Sequence, residues 1–452
     1  MDMPLNSGTT PYVETRRHEL RKMRLVMIDG QLAVNTRSSE GGVSARVYEG
    51  GYWGLAAAPD GDPAELQRQA RRHAQAMARF GARPSLALPG GSYRGEHVVR
   101  GKPPLTAQEC SERLSALHAY CRQQFPDLKS TRFVLQEEQH AKWLSSSAGA
   151  ESLASIHRAS CYITLIADDA QGAPVEMFAP LSTKGSLAEL DLSPEGLAPR
   201  LHEMHGHLQA KRHAVPAVGG LHTVVIAPAL AGMLAHEAMG HPCEADIVLG
   251  GAITGDLRGQ RVASELVSMV DFAHSFQGQE TMIPVYADDE GTPARDAVLI
   301  DRGRLTEFMN SRETAARLGL APTGSARAYA PSDEPLVRMR NTAILPGTSK
   351  LADMIAGVEQ GYLLMTTSNG QADSTTEFMF GVSLGYEIRN GQLGRAIRDT
   401  TVSGSAIKVL QSVDAVSDDM VWNCSGYCGK KQPMVVSMGG PALRARAHLG
   451  GE

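Results

Sequence analysis

The chain has 452 residues, 42% hydrophobic and 21% charged, an ordinary balance for a globular protein and enough length for two or three domains with a large core. Lys and Arg number 44 against 49 Asp and Glu, a formal net charge of -5, and with no basic run this excludes a nucleic-acid footprint. No apolar run approaches the roughly 18 residues that a membrane span requires, and the opening Met1-Asp2-Met3-Pro4-Leu5-Asn6-Ser7-Gly8 lacks the apolar core of a signal peptide.

Six scattered cysteines are too few for a disulfide framework, so reduced thiols and a cytoplasmic location are expected. Residues 1–11 read as a loose arm. From Tyr12 to about Ala58 the pattern is strand-like, with turns at Asp29-Gly30 and Glu49-Gly50-Gly51. After Asp62-Pro63, Leu66, Ala70, Ala74 and Met77 recur at helical spacing, and residues 82–104, rich in Pro and Gly, read as a loop. The capping box Thr106-x-x-Glu109 opens a second helix with Ala107, Cys110, Leu114, Leu117 and Cys121 on one stripe, which makes both cysteines core residues.

Arg132–Leu135 and Cys161–Ile166 read as strands, and a third helix spans about 197–212 with Leu197, Leu201, Met204 and Leu208 inward. His202, His205 and His207 on that helix have no acidic or Cys partner at ligand spacing, so a solvated face is the reading preferred to a metal site. Ala214 to Gly220 is the candidate boundary between an N-terminal α/β domain, 1–214, and a β-rich C-terminal domain, 215–452. Beyond it, Thr223–Ile226 reads as a buried strand and Pro228 suits a first helical turn. Strands are expected at 297–300, 305–310, 382–388 and 394–397, with a short helix from Leu351 to Gln360. The fold class expected is therefore α/β of the α+β type: a mixed sheet with helices in the first half, then a β-rich half that carries the motif helix.

That helix leads into His236-Glu237-Ala238-Met239-Gly240-His241. Imidazole is a common zinc ligand, and a carboxylate beside one is placed to take a proton from a metal-bound water. The usual zinc-hydrolase spacing is i, i+4; i, i+5 leaves the two rings about 140° apart on a regular helix. Both reach one metal only if the helix carries a π-type turn or ends between them. Gly240 and Pro242 favour the second option, an end to the helix.

With this motif come Val262-Ala263-Ser264-Glu265-Leu266, Asp288-Asp289-Glu290-Gly291-Thr292-Pro293, Pro322-Thr323-Gly324, Met339-Arg340-Asn341-Thr342, Leu345-Pro346-Gly347, Gly370-Gln371-Ala372-Asp373 and Gly426-Tyr427-Cys428-Gly429-Lys430, in that order. Earlier, Ser44-Ala45-Arg46-Val47 and Gly54-Leu55-Ala56 stand in paired strands. The set resembles the TldD/PmbA family, in its metal-bearing TldD-like branch, and is dense from about residue 215 to the end. The resemblance implies a zinc-dependent peptidase acting on flexible peptides, as a dimer or with a metal-free homologous subunit. It also points to Cys428 as third ligand beside His236 and His241, with Glu237 as general base. An open catalytic site needs three protein ligands and one water.

Lys430 is expected to lower the Cys428 pKa; Asp246 reads as surface charge, with orientation of a ligand imidazole as the alternative; and Asn341 and Asp373 stand in family-like stretches that would line the cleft, with no specific role legible. Cys243 is a poor ligand because Pro242 intervenes, and Cys424 would complete a closed structural site only if residues 424–428 were helical. Lys431-Gln432-Pro433 and Gly439-Gly440-Pro441 stand where the family commonly has Gly-Gln and Gly-Gln-Pro, and Pro242-Cys243 is an uncommon continuation of the motif; these departures bear on the substrate groove more than on the metal. Two other readings are an enzyme that cleaves or transfers an amide in specialised metabolism with the same site, and a non-catalytic scaffold subunit with a structural metal.

Overall fold

The computed structural model describes residues 11–81 and 83–451; nearly all of the expected N-terminal arm lies outside them. Long antiparallel strands dominate the first half: β1 (Tyr12–Ile28), β2 (Gln31–Glu49) and β3 (Tyr52–Ala58) form a meander through the two expected turns, with Asp29, Gly30, Gly50 and Gly51 all at positive φ. Helix α1 (Pro63–Ala78) starts on the Asp62 cap and buries Leu66, Ala70 and Ala74 against this meander, while Met77 is exposed. The segment read as a loop contains a short edge strand, β4 (Arg94–Val98). Helix α2 (Ala107–Gln124) has the capping box, with Cys110 and Cys121 in the core. Strands β5 (Ser130–Ser146), β6 (Glu151–Asp168) and β7 (Pro174–Lys184) complete a seven-stranded sheet in the order β3-β2-β1-β5-β6-β4, with β7 also on β6.

The sheet has two environments. At the turn end, Leu25, Met27, Phe133, Leu135, Ile163 and Leu165 pack beneath α2 and α3 (Pro194–Lys211). At the other end, alternate residues Glu14, Arg16, His18 and Leu20 of β1 are buried, as are Arg46 of β2 and Glu138 of β5. This polar face meets the second half of the chain through ion pairs: Arg46, itself held by Glu14 of β1 at 2.7 Å, with Glu290, and Lys142 with Asp289 at 2.6 Å. The Asp288–Pro293 motif is thus a seam: Asp289 and Glu290 are neutralised from the N-terminal sheet, while Asp288 accepts from the amides of Glu290, Thr292 and Ala326.

In the second half, strand β8 (Gly220–Ile226) lies between Gln360–Ala372 and Leu443–Leu449; the sheet continues through Thr400–Ser405 to Glu377–Arg389 and Gln392–Ile397. Pairing of Gln360–Ala372 with Glu377–Arg389 closes it into a barrel. A second, six-stranded sheet includes Met269–Phe272, Ala297–Asp301, Asn341–Ile344 and Ser437–Gly440. The expected strand at 305–310 is reduced to Arg304–Leu305, because the Thr306 hydroxyl turns back on the Val298 carbonyl and Phe308 and Met309 enter the core as loop residues. The expected helix is present at Leu351–Ala356. The architecture is α+β, as expected.

Helix α4 (Pro228–Leu234) packs on Ser437–Gly440 and on Gln360–Ala372. The approach is close: a Cβ on Gly232 would stand 3.2 Å from the Gly439 nitrogen. The Gly439-Gly440 pair therefore serves backbone contact with the motif helix.

The Asp271–Arg340 pair is fully buried at 2.7 Å. Arg340 also donates to the carbonyls of Thr323 at 3.0 Å and Gly324 at 3.2 Å, so two sequence motifs are tied by one guanidinium. Arg340→Leu leaves the Asp271 carboxylate unpaired in the core and is expected to cost about 3–5 kcal/mol, read as a lowered urea midpoint; an unchanged midpoint would show the pair to be dispensable.

Candidate metal centre

The helix does not end between the two histidines. Residues Ala235–Gly240 form a π turn closed by a hydrogen bond from the His241 amide to the His236 carbonyl, and His241 keeps helical angles of φ -59° and ψ -48° before a 3-10 turn over His241–Cys243. The first of the two options holds, then, rather than the expected one. Pro242 lacks the N–H that would donate to Ala238 in a regular helix, which weakens the α alternative here. Gly240 is needed for space: a Cβ there would lie 2.3 Å from the Met339 sulfur.

Across the turn the rings stand 5.0 Å apart, centroid to centroid, at 76°. Cys428 Sγ lies 3.2 Å from His241 Nε2. One ligand atom from each of His236, His241 and Cys428 falls within 4.8 Å of the others. Glu237 Oε1 is 3.9 Å from His236 Nε2, and its Oε2 is 3.8 Å from His241 Nε2. His236 is buried at 2% side-chain exposure, whereas Glu237 and His241 retain 21% and 20%.

The donor set fits a zinc ion. Burial raises the Cys428 thiol pKa, but hydrogen bonds with both imidazoles outweigh it and bring the value down to about 4, so the sulfur is a thiolate. Among the described residues, His236 Nδ1 is buried without a hydrogen-bond partner. Burial disfavours a charged His241, but the Glu244 carboxylate and Cys428 raise its pKa to about 10, so a metal held at Nε2 would take the place of a proton there. Two imidazoles and a thiolate match the ligand types zinc takes, with a position left for water.

The residue that orients His241 is Glu244, not Asp246. Glu244 Oε2 accepts from His241 Nδ1 at 2.8 Å and is fully buried, which fixes the proton on Nδ1 and leaves Nε2 toward the other donors. Asp246 instead takes Lys430 Nζ at 3.0 and 2.9 Å. Lys430 is thereby engaged by Asp246, Glu244 and the Val337 carbonyl, and the low Cys428 pKa comes from the imidazoles rather than from it.

Asn341 is fully buried, its amide spent on the backbone of Phe272 and Ile283, and Asp373 caps a turn through Thr375 and Glu377. Neither joins the three donors. Cys243 and Cys424 are buried thiols with raised pKa values, and the donor group found among the described residues contains neither. The histidines of α3 are partnered by Tyr120, Asp127 and Tyr386.

Arg338 is a further participant that its sequence position does not announce. Fully buried, it donates to the carbonyls of Cys428 at 2.7 Å, Lys430 at 3.1 Å and Gln432 at 2.8 Å, and so holds the loop that presents the sulfur.

Glu244→Gln is expected to weaken zinc retention by roughly 10–100-fold, while Asp246→Asn leaves it within a few-fold. Competition with a chromophoric chelator measures both, and the reverse ranking would return the orienting role to Asp246.

Residues 219–449 match the family described as PmbA/TldA metallopeptidase C-terminal domain, and residues 13–77 match PmbA/TldA metallopeptidase domain 1. The chain is 32% identical over 340 residues to the zinc metalloprotease TldD homolog of Saccharolobus solfataricus, covering 74% of this chain and 75% of that protein. It is 29% identical over 453 residues to a metalloprotease of Methanothermobacter thermautotrophicus, 97% and 95% of the two chains. Its fold is similar to that of a putative modulator of a DNA gyrase from Thermotoga maritima, with TM-score 0.79, 18% identity and coverage of 97% and 96%. It is also similar to that of TldE from Thermococcus kodakarensis, with TM-score 0.74, 17% identity and 96% of both chains. The match over the C-terminal half, together with the archaeal relative, shows that the chain belongs to the PmbA/TldD family of metallopeptidases.

Proposed function

We propose that the chain is a zinc-dependent peptidase that hydrolyses amide bonds in flexible peptides or peptide-like substrates, with His236, His241 and Cys428 holding the ion and Glu237 as general base. The observation that carries the reading is the convergence of three soft or borderline donors within 4.8 Å of one another, with a carboxylate 3.8–3.9 Å from both imidazoles. When bound, zinc supplies a Lewis acid that polarises a carbonyl and brings the pKa of water to about 7.

The chain's own residues divide the remaining work. Glu237, half-buried between the two imidazoles, accepts a proton at its carboxylate and returns it to the leaving amine. Glu244 keeps His241 in one tautomer and one orientation. Arg338 fixes the backbone from Cys428 onward. A structural-metal scaffold would need a fourth ligand such as Cys424, which is absent from the donor group found among the described residues. An amide-cleaving or amide-transferring enzyme of specialised metabolism would use the same atoms, and a substrate panel separates it from a peptidase.

Three further parts of the reading go with it. Residues 1–214 and 215–452 are taken as two domains, which is supported by sheets drawn separately from 12–184 and 220–449. A cytoplasmic setting is supported by six free cysteines; no helix among the described residues is long and apolar enough to cross a membrane. A homodimer, or a heteromer with a metal-free homologous subunit, is what the family resemblance supports.

Glu237→Gln is expected to keep zinc and the melting temperature while chelator-sensitive cleavage of an unstructured peptide falls about 10²–10⁴-fold; wild-type turnover would remove Glu237 from the role. Light scattering of the purified chain is expected to give a dimer, or a complex once the homologous subunit is added. A fully active monodisperse monomer would overturn the assembly proposal.

A further inference from the structure

Tyr427 and Cys428 are neighbours in a two-residue strand paired with Met434-Val435, so their side chains leave opposite faces. Cys428 turns to the imidazoles. Tyr427 turns to the N-terminal sheet, where its hydroxyl donates to Glu138 Oε2 at 3.0 Å. The same oxygen takes Arg158 Nη2 at 2.9 Å and Nε at 3.2 Å. Arg158 Nη1 donates to the Cys424 carbonyl at 3.1 Å, and Tyr162 donates to the Ser425 carbonyl at 2.6 Å. Side chains of β5 and β6 therefore grip Cys424, Ser425 and Tyr427, three of the four residues that lead into Cys428.

Glu138 and Arg158 are 4% and 6% exposed, and charge-assisted hydrogen bonds in such a setting are short of water to compete with them. Burial alone would raise the Glu138 carboxyl, but His140, Arg158 and Tyr329 hold it well below the usual carboxylate range, so it accepts as an anion. Arg338 grips the residues after the sulfur from the C-terminal half. The loop is thus clamped on both sides, and one clamp belongs to a different sheet from the motif helix.

We propose that Glu138, with Arg158 as its counter-ion, is a positioning residue that sets from the N-terminal sheet the approach of the Cys428 sulfur to His236 and His241. This rests on the metal-centre reading above. It makes the N-terminal half part of the metal site's construction although it contributes no candidate ligand.

The test compares full-length variants that each lose one hydroxyl. Tyr427→Phe removes the bond between Glu138 and the cysteine loop. Tyr329→Phe removes the other phenol on Glu138 and leaves residues 424–428 untouched. Zinc affinity is measured by chelator competition, and the cobalt(II)-substituted chain is examined for its thiolate charge-transfer band. Tyr427→Phe is expected to bind zinc about 10-fold or more weakly and to shift or weaken the cobalt band, while Tyr329→Phe matches wild type in both. Tyr162→Phe, which frees only the Ser425 carbonyl, gives the same reading if Tyr427→Phe does not fold. Wild-type affinity and spectrum in the loop-side variants, or equal losses in Tyr427→Phe and Tyr329→Phe, overturn the positioning role. Cys428→Ala is the control: loss of zinc there with intact Tyr427→Phe binding rejects only this proposal, whereas wild-type binding by Cys428→Ala rejects the metal-centre reading and this one with it.

Discussion

One hydrogen bond, from the His241 amide to the His236 carbonyl, widens a single helical turn, and the arrangement of the candidate site depends on it. In a regular helix the two rings would point about 140° apart; the wider turn puts both beside Cys428. Such turns are rare and need local reasons to persist. Here the proline after His241 removes a competing donor, and Met339 fills the space beside Gly240 where any side chain would collide. Packing around the turn thus holds it in place, and Glu237 falls within reach of both imidazoles.

Buried arginines do much of the organising elsewhere. Arg340 joins three separate segments through carboxylate and carbonyl oxygens, Arg338 gathers the loop after Cys428, and Arg46 and Arg158 knit the N-terminal sheet to the second half. Each satisfies several acceptors at once, which a planar five-donor guanidinium does better than an ammonium. Positions that sequence comparison alone would assign to a cleft, such as Asn341, turn out to be backbone anchors for the same reason: a buried amide must find partners, and here they are main-chain groups.

The parts legible in the sequence were those whose signal is local. Caps and periodic apolar stripes located α1, α2 and α3, and turn residues located the β1–β2–β3 meander. Strand lengths were underread because the far half of β5, from Gln136 to Lys142, is polar and yet largely sheltered, its charges matched by residues 140 or more positions away in the case of Lys142 and Asp289. An alternation of apolar residues cannot reveal a face that is buried by ion pairing. β4 escaped notice because its side chains alternate between exposed and half-buried without apolar character. At the site, the three donors and Glu237 were chosen from motifs, and the structure brings them together. Glu244 was available from spacing, since a carboxylate three residues beyond a histidine lies on the same side of a turn. Arg338 had no local signal, for its partners are carbonyls some 90 positions later.

The glycine contact between the motif helix and the strand Ser437–Gly440 has a mechanical consequence. Where backbones meet with no side chains between them, no rotamer change can absorb a relative shift, so helix and strand move together or not at all. The histidines are therefore mounted on a stiff support. Glu237, carried on the same turn between them, shares that support, so its separations of 3.9 and 3.8 Å from the two imidazoles are held by the same backbone contact.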